Sequence, residues 1–119
     1  MKQKILFIVV FFEEPGSGKE PVRDWIKALN KKDKKIIGHD LLVLQYNWPL
    51  GMPLVKSLGK GLWELRSNLS NRIARLIFVQ KRNEIILLHA FIKKTEKTPP
   101  SEIKISMVRK RNIKLQEKK

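Results

Sequence analysis

The cations Lys56, Lys60, Arg66, Arg72, Arg75, Lys93, Lys94 and Lys97 lie on or beside three consecutive stretches that read as β-strands, and they are the residues best equipped for chemistry. Guanidinium groups present fixed forks of donors to phosphate oxygens, and ammonium groups add compact point charges. Such a set would suit binding RNA phosphate. Taken singly, each basic residue is ordinarily a solvated surface charge, and a lone histidine such as His89 is ordinarily packed. The reading is therefore collective, and the run Lys93-Lys94-Thr95-Glu96-Lys97 strengthens it.

Other chemistries are poorly supplied. There is no cysteine, so disulfides, thiolate metal sites and cysteine nucleophiles are excluded. His39 and His89 stand 50 residues apart without clustered carboxylates, so no metal site is expected, nor any other cofactor. Gly59-Lys60-Gly61 lacks the rest of a phosphate loop and reads as a turn before a strand. No serine nucleophile elbow is present.

The charge balance agrees with a polyanionic partner. The 119 residues carry 26 Lys+Arg against 11 Asp+Glu, a formal +15, more than solubility requires. Residues 56–119 hold 17 basic and 5 acidic residues, which is +12 of that total. A hydrophobic content of 42% with 31% charged residues is that of a globular chain, and the length suits one domain spanning 1–119. The apolar run Ile5 to Phe12 is too short to cross a bilayer and is followed by Glu13-Glu14-Pro15-Gly16 rather than a small-residue cleavage site. A cytoplasmic protein without membrane contact is expected.

The elements that position the cations follow from periodicity. Residues 4–12 are β-branched and aromatic without polar alternation, as in a strand covered on both faces. After a loop over Glu13 to Lys19, Pro21 opens a short helix whose apolar face is Val22, Trp25, Ile26 and Leu29. Asp33 is the expected N-cap of a second helix bearing Ile37, Leu41, Leu44 and Trp48, ended by Pro49, Gly51 and Pro53. Three strands follow, Leu62 to Ser67, Arg72 to Gln80 and Glu84 to Lys93, joined by loops at 68–71 and 81–83 as an antiparallel meander. Thr98 is the expected N-cap of a last helix with Pro99 at its first position and Glu102 in its first turn. Its apolar stripe is either Ile103 and Met107 or Ile105, Val108 and Leu115, and Lys118 and Lys119 are expected to fray. The order is β-α-α-β-β-β-α, an α+β fold.

Alternation also assigns faces. Arg66 shares a side with Leu62 and Glu64, while Trp63 and Leu65 point the other way. Arg75 lies in an apolar row with Ile73, Ile77 and Val79, where an unpaired guanidinium is costly; a carboxylate such as Glu64, or a bound phosphate, must satisfy it.

The run Lys56-Ser-Leu-Gly-Lys-Gly-Leu-Trp-Glu-Leu-Arg66, then Arg72-Ile-Ala-Arg75-Leu-Ile-Phe78, then Ile86 to Pro99 with Glu102-Ile103, resembles the phage-derived HigB-like branch of the RelE/ParE toxin superfamily. Pro21 to Leu29 and Trp48-Pro-Leu-Gly51 resemble the same branch, so the likeness spans roughly residues 5 to 105. The resemblance implies a RelE-like fold, with two N-terminal helices on a small mixed sheet. It also implies a metal-independent endoribonuclease acting on mRNA in the ribosomal A site, halting translation and neutralised by a cognate helix-turn-helix antitoxin.

Metal-free cleavage needs a proton taken from the 2′-hydroxyl, charge stabilised on the phosphorane and a proton given to the leaving 5′-oxygen. For that reaction Arg66 and Arg75 are assigned to the phosphate, and Lys93 or His89 to proton transfer. Lys56, Lys60, Arg72, Lys94 and Lys97 are assigned to gripping RNA. Several relatives place a tyrosine near the C-terminus, whereas the sole tyrosine here, Tyr46, lies in the second helix; Phe91 or Trp63 could stack a base or simply pack. A ParE-like toxin that binds a topoisomerase, a non-catalytic nucleic-acid-binding module and a degenerate toxin are the competing readings.

Overall fold

A computed structural model describes residues 6–117, with side chains through Ile113. Lys4 and Ile5, Leu115, Lys118 and Lys119, on which parts of the expectations fall, lie outside the described residues or side chains. The elements are β1 (Ile8–Phe11), α1 (Pro21–Lys27), α2 (Lys31–Asn47), β2 (Val55–Gly59), β3 (Leu62–Asn68), β4 (Ile73–Lys81), β5 (Glu84–Ile92) and α3 (Pro100–Glu117). The α+β class and the two helices following β1 are as expected. The sheet, however, has five strands in the order β1-β5-β4-β3-β2, β1 running parallel to β5 and the other pairs antiparallel.

The additional strand is β2, between Pro53 and the glycine turn. Its five residues, VKSLG, carry too weak a period to announce a strand, and it forms because β3 supplies the ladder. The turn does occur where expected, with φ +83° at Gly59, +56° at Lys60 and +79° at Gly61, a left-handed run that the two glycines make inexpensive.

The two faces of the sheet are covered by different helices. On one, Val22 of α1 and Ile37 and Leu44 of α2 pack with Leu65, Ala74, Leu76, Phe78, Ile85, Leu87 and Ala90. On the other, Ile103, Met107 and Ile113 of α3 lie against Leu62, Ile77, Val79, Ile86 and Leu88. Of the two stripes proposed for the last helix, the first is therefore the buried one, while Ile105 and Val108 are exposed. Trp48 closes α2 with its indole edge-on to Trp63 and Phe78, at centroid distances of 5.0 and 5.1 Å, and donates Nε1–H to Gln80 at 2.8 Å.

Both expected N-caps are corrected. Asn30, not Asp33, caps α2: its Oδ1 accepts the N–H of Asp33 at 2.8 Å, the reach of a cap to the third helical residue. Asp33 is buried and ties α2 to the β3–β4 turn instead, accepting from Ser70 N–H at 3.3 Å and Ser70 Oγ at 3.2 Å, with Arg72 Nη2 at 3.5 Å. Replacing Asp33 by Ala leaves those donors without their acceptor, and we expect a loss of about 1–3 kcal/mol in urea unfolding. An unchanged midpoint would show that the tie contributes nothing. At α3 the helix starts one residue later than expected. The Pro99 carbonyl accepts from Glu102 and Ile103, at 3.0 and 3.2 Å, and Thr98 is diverted to another partner described below.

Candidate nucleic-acid interface

Register gathers the basic residues on the α3 side of the sheet. One rung across β2, β3, β4 and β5 reads Lys56, Glu64, Ile77, His89, and the next residue on the same face reads Arg66, Arg75, Phe91. Lys93 follows, its backbone N–H bonded to the Ile73 carbonyl at 2.8 Å. A bulge sets this arrangement. The β4–β5 register shifts between Ile77 and Phe78, so β5 carries one extra residue there. Leu88 faces α3, and His89, the next residue, bonds to α3 as well rather than turning to the opposite face.

At the centre is a buried ion cluster. The side chains of Glu64 and Arg75 are both 0% exposed, with Arg75 Nε 3.3 Å from Glu64 Oε1. Of the two partners considered for Arg75, the structure supplies the carboxylate. The same oxygen lies 3.6 Å from Nε of Arg66, whose side chain is 23% exposed. These contacts are ionic and none closes as a hydrogen bond. The other Glu64 oxygen accepts a short hydrogen bond from the Thr98 hydroxyl, and Arg75 Nη2 donates to the Glu96 carbonyl at 2.7 Å. Residues 93–99 thus form a strap across Arg75. The guanidinium of Arg66 is left at the rim, lining a small groove with Pro53, Leu54, Asn68 and Ile73.

The strap itself carries further cations. Lys93, 20% exposed, has Nζ 3.4 Å from Glu96 Oε1, and Lys94 and Lys97 are exposed beside it. Two predicted site residues lie elsewhere. Lys60 sits at the tip of the β2–β3 hairpin, where its carbonyl takes a short hydrogen bond from Lys110 of α3. Arg72 is turned toward Asp33 at the start of α2.

His89 is held from both sides. Its Nε2 lies 3.1 Å from Glu102 Oε1, and its Nδ1 lies 3.3 Å from Arg109 Nη1, which also donates to the Leu88 carbonyl at 2.8 Å. The neutral tautomer with hydrogen on Nε2 satisfies both contacts, donating to the carboxylate and accepting from the guanidinium. Desolvation lowers the pKa of His89 from 6.5, outweighing the hydrogen bond and charge of Glu102, and Arg109 lowers it further. Folding thus favours the neutral ring. Its contribution to stability is fully present above the ordinary value of 6.5 and is lost as pH falls through the lowered folded value. Between pH 7.5 and pH 5.5, about one unit either side of that ordinary value, the melting temperature of the wild type should fall more than that of His89→Gln. Equal falls would show that His89 is not linked to folding.

Glu102 and Arg109, which bracket His89, were not among the expected site residues. Their seven-residue spacing on one helix is a signal for a shared face. Trp25, expected on the apolar face of α1, also reaches a groove of about 440 Å3 whose other walls include Phe91, Lys94, Pro99 and Glu102.

Residues 24–111, from α1 into α3, match the family described as phage derived protein Gp49-like (DUF891). No curated protein matches. The family match covers most of the chain, including all the strands of the basic face, so this protein belongs to the Gp49-like family, a toxin-like module of the RelE/HigB-like superfamily.

Proposed function

We propose that this chain is a HigB-like toxin of a type II toxin–antitoxin pair and a metal-independent endoribonuclease that cuts mRNA on the ribosome in the cytoplasm. Its partner would be a helix-turn-helix antitoxin that shields the basic face. The observation that carries this reading is Arg66. It is anchored by the buried Glu64 yet partly exposed, in a groove it shares with Ile73, whose carbonyl is bonded to the backbone of Lys93. Lys94 and Lys97 are exposed on the strap that follows.

In the reaction, the 2′-oxygen gives its proton to solvent water and attacks the adjacent phosphorus as the bond to the 5′-oxygen breaks. The products are a 2′,3′-cyclic phosphate and a 5′-hydroxyl. Arg66 donates to the non-bridging oxygens as charge accumulates on them. Arg75, roofed by the strap, acts through Glu64 to hold Arg66. Lys93 gives the proton to the leaving oxygen, a task for which it is better placed than His89, whose nitrogens are both engaged. Lys56, Lys94 and Lys97 grip the backbone near this point, and Lys60 and Arg72 extend the field to either end of the sheet.

Induced expression of wild type and Arg66→Ala, with mapping of RNA 5′ ends, tests the reading. Growth arrest with new ends inside translated messages, lost in the variant, supports it. Arrest without cuts would point to a protein target such as a topoisomerase, and intact RNA bound in a steeply salt-dependent manner to a non-catalytic binding module.

A further inference from the structure

We infer that the groove between α1, β5 and the start of α3 is a base-reading subsite, taking a nucleobase that carries an exocyclic amino group in preference to uracil. This rests on the proposal that the protein acts on RNA and adds to it how the chain would choose among sequences.

Three features of the groove select that occupant. Trp25 and Phe91 give it flat aromatic walls, and the Phe91 ring is itself backed by His89, with centroids 5.5 Å apart and planes 27° from parallel. Such walls take a base by stacking whatever its identity. Glu102 adds discrimination. Its Oε1 is occupied by His89 Nε2 at 3.1 Å, while Oε2 has no hydrogen-bond partner among the described residues. A carboxylate repels phosphate, so in a chain of net charge +15 it marks the place where a ligand presents donors. Adenine, cytosine and guanine each present an amino group to such an oxygen, whereas uracil presents two carbonyl oxygens flanking its single N–H. Lys94, on the same groove, is available for the attached phosphate. The overall positive charge and Lys94 together disfavour the other ligand an acidic aromatic groove takes, the cationic side chain of a protein.

The bonded His89 fixes the carboxylate, which makes Glu102 a specificity residue distinct from the phosphate contact at Arg66. The test is titration of the full chain with AMP, CMP, GMP and UMP, read at the Trp25 indole N–H by heteronuclear NMR. AMP, CMP and GMP should move that signal at concentrations about tenfold lower than UMP. Glu102→Gln keeps an acceptor for His89 and should bring all four nucleotides within about threefold, a range below one good base contact. The same order should persist in Arg66→Ala, so the groove stands or falls separately from cleavage. Binding of UMP as tight as that of AMP would overturn the inference. So would a Trp25 signal that ignores all four nucleotides and shifts only with a partner protein.

Discussion

Arg66→Ala will lower the rate of RNA cleavage by about 10²- to 10³-fold, the loss found when one fixed donor is removed from a developing oxyanion. Most of that loss should fall in kcat, because the exposed lysines of the strap continue to hold the ground-state phosphate while the anchored guanidinium meets the added charge. Arg66→Lys restores charge but not the fork, and should recover only part of the rate. The fold should survive, since Arg66 is partly exposed and Glu64 retains Arg75 and Thr98. Single-turnover cleavage by both variants, with circular dichroism as the control, measures this. A rate in Arg66→Ala within threefold of wild type would remove Arg66 from the reaction.

Glu64→Ala should destabilise the chain by about 3–5 kcal/mol, the effect of deleting one partner of a buried ion pair. The reason is local: Arg75 is 0% exposed, and without Glu64 its guanidinium keeps, among the described residues, only the Glu96 carbonyl. A domain of this size has about 5–15 kcal/mol in total, so the loss is a large fraction of its stability. Burying a carboxylate between two arginines does not by itself imply net stability, because desolvation offsets the attraction. Hence the double variant Glu64→Leu, Arg75→Met should regain much of what Glu64→Ala loses. Urea unfolding of the single and double variants decides between a paired cluster and a passive one; a single variant within about 1 kcal/mol of wild type would contradict the pairing.

The parts of this site that were legible in the sequence are those set by strand alternation. Arg66 and Glu64 two residues apart on one face, and Arg75 in an apolar row, already required an anionic partner for Arg75, either a carboxylate such as Glu64 or a bound phosphate. What alternation does not show is a change of its own phase. Counting by twos from Ile85 puts His89 with the residues under α1 and α2, and only the extra residue at Leu88 brings it to α3. Thr98 followed by prolines satisfies the local rules for a cap, but the buried Glu64 oxygen is the stronger claim on its hydroxyl. The edge strand β2 has no pattern of its own because its ladder is supplied by β3. Trp25, on α1, meets Phe91 and Glu102 only after the chain has folded, and no local spacing encodes that groove.

The end chemistry of RNA exposed to the purified protein tests the central claim most directly. A defined message, incubated with translating ribosomes and the wild-type chain, should be cut to fragments bearing 5′-hydroxyl and 2′,3′-cyclic phosphate ends, and Arg66→Ala should leave it intact on the same timescale. A message that stays whole with wild-type protein, or is cut to 5′-phosphate ends, would contradict an attack by the 2′-hydroxyl supported by Arg66.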